Sequence, residues 1–290
     1  NNLLLRELDE TLVTVGADSG VPEGAVRDVV RGPTGEIWFS VSEEGLFRLD
    51  IDTLQAERIE GTTGKEILDI GIAIDGAIWF ATAESGVFRH STTDQTLRQF
   101  DAPDKTSVYS LATAADGSIW FGADEVGLVH LVQTDDGEYA QHLYGAENGL
   151  ENRLFDHIRL TGPDEAWIAT EEGGLYRFES GEFSNFGKDT PLADQTVYLV
   201  EVLDNGSVVV GGEQGLYQFV PGTPGVAHYN QLSGFVGMET NVHATYRDSA
   251  DGLWIGTVNG ATRMDITARP TIHSRSSGME NPFRMARSIQ

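Results

Sequence analysis

The chain has 290 residues, a formal net charge of −26 and no cysteine. Without cysteine it has no disulfide, no thiolate metal site and no cysteine nucleophile. Its charge disfavours nucleic acid and anionic membrane surfaces as partners, because both repel an acidic protein. No apolar run is long enough to predict a membrane span. An acid-rich, lysine-poor surface is typical of proteins kept soluble in high salt, and equally of a GC-rich genome under ordinary selection for solubility.

The N-terminal segment NNLLLRELDE begins without methionine and has no basic region followed by an apolar one. A secretory signal peptide has both of these features. The sequence is therefore interpreted as an excised domain or a mature segment of a longer protein, with any targeting signal outside residues 1–290.

A tryptophan recurs at nearly regular spacing along the chain. Successive markers are 41, 41, 47, 42 and 45 residues apart, with valine in one place. The markers are Trp38, Trp79, Trp120, Trp167, Val209 and Trp254. A period of 40–50 residues predicts a propeller or a solenoid.

Each period contains four short segments with strand character. In chain order the first repeat has AVRDVV, a PTG turn, EIWFSV with the tryptophan, an acidic loop ending at Gly45, then LFRLD and AERIE. Four short antiparallel strands per repeat predict one blade of a β-propeller. We expect each tryptophan to fill the space between two blades, and each glycine that ends the acidic loop to take a positive φ.

The two ends of the chain look like parts of a further repeat. LRELDETL (5–12) aligns with FRLDIDTL (47–54), and GMENPFRMARSI (278–289) resembles GMETNVHATYRD (237–248). The second strand of that repeat, about nine residues by this alignment, is absent. The sequence favours an all-β domain over residues 1–290 with seven blades, six complete and one split between the ends or incomplete.

Two repeats resemble a known family closely. NGLENRLFDHIRLTGPDEAWIATEEGGLYRF (148–178) and ETNVHATYRDSADGLWIGTVNGATRMD (239–265) are similar to the two-component regulator propeller repeat. The resemblance covers almost the whole chain. It implies a sensor region of a bacterial hybrid histidine kinase or related signalling protein, located in the periplasm or outside the cell. Any kinase or cyclase activity would then belong to downstream domains, and this chain would not itself be an enzyme.

One position in the first strands varies sharply in chemistry while its neighbours stay mostly apolar. It lies eleven residues before each marker, where the propeller prediction places it at the mouth of a central channel. The residues there are Arg27, Leu68, Tyr109, Asp156, Tyr198 and His243, and the end alignment adds Arg284. The polar and aromatic members predict a site for a polar, partly planar ligand such as an oligosaccharide. Ordinary tolerance at a wet channel mouth would explain the same variation.

Acidic residues cluster in the loops between second and third strands, on the same predicted face. They are Glu43, Glu44, Glu84, Asp124, Glu125, Glu171, Glu172 and Glu213. A ring for cations or sugar hydroxyls and a simply solvated acidic face both fit this pattern.

The sequence predicts no metal and no cofactor. The seven histidines show no metal-ligand spacing, and HExxH, GxSxG, P-loop and GxGxxG sequences are missing. Three functions remain open: a ligand sensor, a streptogramin-lyase-like enzyme using His243 with Glu239 or Glu213, and a scaffold for another protein. A homodimer is compatible with each of them.

Overall fold

The computed structural model describes residues 3–6, 12–100, 106–151, 154–171, 173–187, 190–193, 195–235, 237–248, 250–266 and 283–284. Within these ranges the regular structure is strands and short 3-10 turns, without an α-helix, as the repeat pattern predicted. The chain divides into two compact units, Asn1–Leu143 and Tyr144–Gln290.

Unit 1 contains three four-stranded antiparallel sheets, each built from consecutive strands. A two-stranded sheet of β1 (Leu3–Arg6) and β2 (Leu12–Val15) precedes them. The sheets are blade 1 with β3 (Val26–Arg31), β4 (Ile37–Val41), β5 (Gly45–Asp50) and β6 (Gln55–Arg58), blade 2 with β7 (Ile67–Ile72), β8 (Ile78–Thr82), β9 (Val87–His90) and β10 (Leu97–Phe100), and blade 3 with β11 (Val108–Thr113), β12 (Ile119–Ala123), β13 (Gly127–Gln133) and β14 (Tyr139–Tyr144).

Unit 2 repeats this arrangement with three further sheets. They are blade 4 with β15 (Phe155–Gly162), β16 (Glu165–Thr170), β17 (Gly174–Glu179) and β18 (Glu182–Asn185), blade 5 with β19 (Val197–Val202), β20 (Val208–Gly212), β21 (Gly215–Phe219) and β22 (Ala227–Tyr229), and blade 6 with β23 (Thr240–Arg247), β24 (Gly252–Thr257), β25 (Gly260–Asp265) and β26 (Phe283–Arg284). In each blade the first and fourth strands form the two edges of the sheet, and the second and third strands lie between them.

The number of blades corrects the expectation from sequence, because the described residues form six four-stranded blades rather than seven. Phe283–Arg284 pairs with β25 and completes blade 6, whereas the end alignment predicted the first strand of a new blade. Without β26, the third strand of blade 6 would be an edge strand with unpaired backbone N–H and C=O groups. Any extended segment nearby can pair with these groups. The rest of 278–289, and residues 7–11, lie outside the described residues.

The repeated tryptophans pack between blades as expected at most positions. Trp38 contacts the core of blade 2, Trp79 that of blade 3 and Trp167 that of blade 5. The exposed fractions of Trp38, Trp79, Trp120 and Trp167 are 2%, 0%, 1% and 2%. Burial of such large side chains contributes strongly to stability.

Trp254 departs from this pattern and is only partly buried, so the prediction for this residue was wrong. Its Nε1 donates to Asp248 Oδ2 at 2.8 Å. The same carboxylate oxygen accepts from Arg263 Nε at 2.7 Å, and these bonds hold the pKa of Asp248 well below its usual range. A polar network here replaces the apolar contact made by the other tryptophans.

The glycines that end the second-to-third hairpins have positive φ in all six blades, as predicted. At Gly45, φ is 104°, and an added Cβ would lie 2.4 Å from the carbonyl oxygen of Thr62. Any side chain at this position would therefore be strained by the backbone conformation and would clash with the Thr62 carbonyl group.

Candidate functional site

The chemically variable position in each first strand lies in a β-bulge. In every blade the pairing between first and second strands shifts register at this point. Asp156 is the single extra residue between Phe155 and His157, and Tyr198 the one between Val197 and Leu199. A bulge residue is released from the regular ladder, and bulges often re-aim side chains at functional sites.

The bulge of blade 6 is wider than the others. Thr240 pairs with Thr257 and Thr245 with Ile255, so four residues oppose Gly256. One of the four, His243, has φ of 55°. Such a value is uncommon outside glycine and occurs where surrounding structure or function requires it.

In unit 1 the predicted site residues have different surroundings. Arg27 Nε donates to Glu66 Oε1 at 2.8 Å, and Glu66 also accepts from Ser42 Oγ at 2.7 Å and the backbone N–H of Glu43 at 2.9 Å. Burial acts to raise the pKa of Glu66, but these hydrogen bonds and the Arg27 charge outweigh it and lower the pKa. Tyr109 is 42% exposed. The Arg27 side chain is therefore paired with the carboxylate of Glu66, a residue that the sequence did not single out.

In blades 4 and 5 of unit 2 the bulge residues lie beside the acidic hairpins, as the predicted strand directions require. Burial raises the pKa of Asp156 to about 7, and the charge of Glu171 adds to this effect. Oδ2 of Asp156 is buried and has no hydrogen-bond partner among the described residues. Asp156 therefore changes charge near neutral pH, and it can either donate or accept a hydrogen bond. Glu172, the next hairpin acid, lies outside the described residues.

Tyr198 stands beside the same group of carboxylates. Its Oη donates to Glu213 Oε1 at 3.5 Å. Burial raises the pKa of Tyr198 to about 12, with further contributions from the charges of Glu213 and Glu239. Glu213 also lies beside Gln195 and Thr196 in a shallow surface depression of unit 2. The phenol thus remains a neutral hydrogen-bond donor throughout the physiological range.

His243 faces another histidine. Its ring centroid lies 5.1 Å from that of His157, and the backbone N–H of Val200 donates to His157 Nδ1 at 3.1 Å. Burial lowers the pKa of His157 well below its ordinary value, and the charge of His243 acts in the same direction. Arg284 lies in β26 opposite Arg263, and its side chain lies outside the described part of the chain.

In blades 1, 2 and 4 the side chain of the residue after the variable position accepts a hydrogen bond from the first strand of the next blade in the same unit. Asp28 Oδ2 accepts from the backbone N–H of Ile70 at 2.8 Å, and Asp69 Oδ2 from that of Leu111 at 2.7 Å. His157 makes the equivalent bond in unit 2. This role was not predicted from the sequence, although a polar residue follows the variable position in these three repeats.

No protein-family model matches the chain, and no curated protein matches it in sequence. Solved structures do resemble it. The extracellular domain of the one-component system BT4673 from B. thetaiotaomicron has a TM-score of 0.69 at 15% identity, covering 95% of this chain and 42% of that one. The extracellular domain of the hybrid two-component system BT3049 from the same organism has a TM-score of 0.70 at 18% identity, covering 98% and 38%.

A third structure of the same fold is an enzyme. A virginiamycin B lyase from Staphylococcus aureus, solved with quinupristin, has a TM-score of 0.67 at 13% identity and covers 91% of this chain and 85% of the lyase. At these identities the likenesses establish the β-propeller fold, and function lies in the sites that each fold carries. The two sensor domains agree with the resemblance to the two-component regulator propeller repeat.

This chain spans about two fifths of the length of those two extracellular domains, since it covers 42% and 38% of them. No helix among the described residues is long and apolar enough to cross a membrane. We call the side of each blade that holds the bulge and the second-to-third hairpin its bulge face. In unit 2 this face carries Asp156, Tyr198 and His243.

Proposed function

We propose that this chain is an extracytoplasmic ligand-sensing domain of a bacterial signal-transduction protein, and that a polar small molecule or oligosaccharide binds to the bulge face of unit 2. The likeness to extracellular domains of one-component and hybrid two-component systems supports the signalling context. The domain would pass a change in geometry to an output module elsewhere in the parent protein.

The observation that carries the proposal is the coincidence of the variable position with the bulge. Asp156, Tyr198 and His243 occupy it in the three blades of unit 2. Residues that pack a core keep their chemistry from repeat to repeat, whereas these differ and sit where the ladder releases them. A carboxyl, a phenol and an imidazole together offer donors, acceptors and two ring faces to a polar ligand.

The same strands supply a route for the response. The residue after Asp156 is His157, which accepts a hydrogen bond from Val200 in the next first strand. A ligand that shifts the bulge of blade 4 would shift this bond as well, and with it the first strand of blade 5. The proposal assigns binding to the bulge and transmission to the bonded strands.

Replacement of the three bulge side chains tests the proposed site. The variant is Asp156→Asn, Tyr198→Ala and His243→Asn, since asparagine tolerates the left-handed backbone at 243. Wild type and variant are screened by ligand-observed NMR against glycans and polar metabolites. We expect the variant to lose the ligand that wild type binds.

Tyr246→Ala is the matched control, because Tyr246 is 64% exposed and lies in β23 beyond the bulge. It should bind as wild type does. Equal binding by the triple variant would place the site elsewhere. Turnover of a library compound by the wild type, lost on replacement of His243, would instead favour a lyase-like enzyme, and retention of a protein partner by the triple variant would favour a scaffold.

A further inference from the structure

One hairpin on the bulge face of unit 2 carries an apolar side chain where the other two carry acids. The hairpins of blades 4 and 5 hold Glu171 and Glu213. The hairpin of blade 6 holds Val258 and Asn259 instead, and Val258 is 56% exposed. Within unit 2 the acidic hairpins are therefore those of blades 4 and 5.

Met238 and Val242 are further exposed apolar residues in the segment that adjoins Val258. The backbone N–H of Val258 donates to the carbonyl oxygen of Glu239 at 3.2 Å, so the hairpin lies beside the segment that leads into β23. Met238 in that segment is 60% exposed, and Val242, in the bulge of β23, is 44% exposed. We call Met238, Val242 and Val258 the apolar edge. Grouped exposed apolar residues beside polar ones mark binding surfaces.

The apolar edge adjoins the carboxylates around Tyr198. Glu239 follows Met238 directly in the chain. The Oη of Tyr198 donates to Glu213 Oε1 at 3.5 Å, and the charges of Glu213 and Glu239 both help to raise the pKa of the phenol, so this aromatic side chain lies near both carboxylates. The face thus joins an apolar surface, an aromatic ring and negative charge.

We propose that the ligand of this face is an amphipathic amine, with its apolar group on the apolar edge and its protonated nitrogen between Glu213, Glu239 and the ring of Tyr198. The inference rests on the proposed function and narrows its ligand class. The apolar edge is the main observation behind this inference, and the carboxylates provide negative charge complementary to a protonated amine. A cation over an aromatic face gains further attraction.

Other ligand classes use only part of this surface. An oligosaccharide would satisfy the polar groups and leave the apolar edge in water. A fatty carboxylate would cover the apolar edge and be repelled by Glu213 and Glu239. A short amine would meet the carboxylates and gain nothing from Met238 or Val258. Only a molecule with both parts uses the whole face.

Three simple probes separate these classes. n-Octylammonium, n-propylammonium and octanoate are titrated into the full chain by calorimetry at one ionic strength and about pH 8, where alkylamines are protonated. We expect n-octylammonium to bind at least about tenfold more tightly than either of the others. Equal affinity for octanoate would show that charge plays no part, and equal affinity for n-propylammonium would show that the apolar edge plays none.

Paired variants assign the two halves of the ligand. Met238→Gln with Val258→Thr should weaken n-octylammonium about tenfold and leave n-propylammonium unchanged. Ile74→Thr, at a residue of unit 1 that is 73% exposed, should change neither. Glu213→Gln should weaken both amines, whereas Glu84→Gln, in a hairpin of unit 1, should not. An effect of Ile74 or Glu84 equal to that of its counterpart would reduce the binding to general adsorption on an acidic protein and overturn the proposal.

The outcomes distinguish this inference from the function on which it rests. If the triple bulge variant loses a polar ligand found by screening, and n-octylammonium shows no preference, the sensor site stands and the amine is wrong. If n-octylammonium needs the apolar edge but not Tyr198, the edge is a binding surface and the proposed bulge site is wrong.

Discussion

The two units make the same hydrogen bond between neighbouring first strands with side chains of opposite titration behaviour. In unit 1 the acceptors are the carboxylates of Asp28 and Asp69, and Asp69 also shares a hydrogen bond with Asp28. In unit 2 the acceptor is the neutral imidazole of His157. Burial penalises the charged form of either group. Burial therefore favours the protonated, uncharged carboxyl of Asp69, which forms at acid pH, and the neutral imidazole of His157, which forms at neutral pH.

The difference shows that the backbone N–H of the next first strand requires a hydrogen-bond acceptor at this position. Either a carboxylate or an imidazole can provide it. An aspartate and a histidine nitrogen each reach a backbone N–H at 2.7–3.1 Å from equivalent positions. The units should thus respond differently to pH although their blades share one design.

The largest effect on stability is expected at the tryptophans. It compares a fully buried tryptophan of unit 1 with a partly buried one of unit 2. Trp79→Ala in unit 1 should lower the free energy of unfolding by about 3–5 kcal/mol, as large buried truncations do. Trp254→Ala in unit 2 should cost about half of that or less, because Trp254 is already partly exposed. Urea denaturation of both variants measures the difference. Equal losses would mean that burial does not decide the contribution.

Asp69→Asn tests the acid side of the comparison. Burial raises the pKa of Asp69 to about 6, with hydrogen bonds from Leu111 and Ile70 opposing it. The folded state then binds the proton more tightly than the unfolded state, so stability falls as pH rises from about 4 to 6. The wild type should lose on the order of 2–3 kcal/mol over that window relative to Asp69→Asn. A constant difference between the two across the window would contradict the assignment.

His157→Asn tests the opposite sign in unit 2. The pKa of His157 is lowered by burial and by His243, so the unfolded state binds the proton more tightly. Stability is present above about pH 6.5 and is lost as pH falls below it, by up to about 1.4 kcal/mol per pH unit. Asparagine keeps an acceptor for Val200 without titrating. Stability curves of the two proteins that remain parallel below pH 6.5 would argue against this role for His157.

The smallest effect is common to both units. A net charge of −26 disfavours the compact state at low ionic strength, and salt screens exposed charges beyond about 10 Å at 0.1 M. The melting temperature should therefore rise with sodium chloride. A melting temperature that does not change up to molar salt would show that self-repulsion does not limit stability. The pH comparisons above should be made at fixed ionic strength.

The sequence predicted the repeat-level features well, because they recur. The strand order within a blade, the hairpin glycines and four buried tryptophans each appear several times in the chain, so one repeat checks another. The blade count failed at the ends, where there was a single copy of each fragment. Alignment placed 278–289 with a first strand, but the unpaired edge of β25 decided the pairing of Phe283–Arg284.

The candidate site was predictable only in part for a related reason. Variation at the position of Asp156 and Tyr198 was visible in the sequence, but a bulge is a property of register between two strands, and no single strand encodes it. Packing of Trp254 likewise depends on Asp248, in the turn before its strand, and on Arg263, its partner on the adjacent strand. In blade 5 the marker and its cross-strand partner changed together, to Val209 and Gln218, which only the paired register reveals.

The bulges have a consequence for how such a domain changes over generations. A side chain at a bulge contributes little to the ladder, so its replacement leaves the blade intact, while the acceptor one residue later keeps adjacent strands in place. In blades 1, 2 and 4 a position open to mutation therefore adjoins one that is constrained. Recognition can drift repeat by repeat, through single codon changes, at little cost to the fold that displays it.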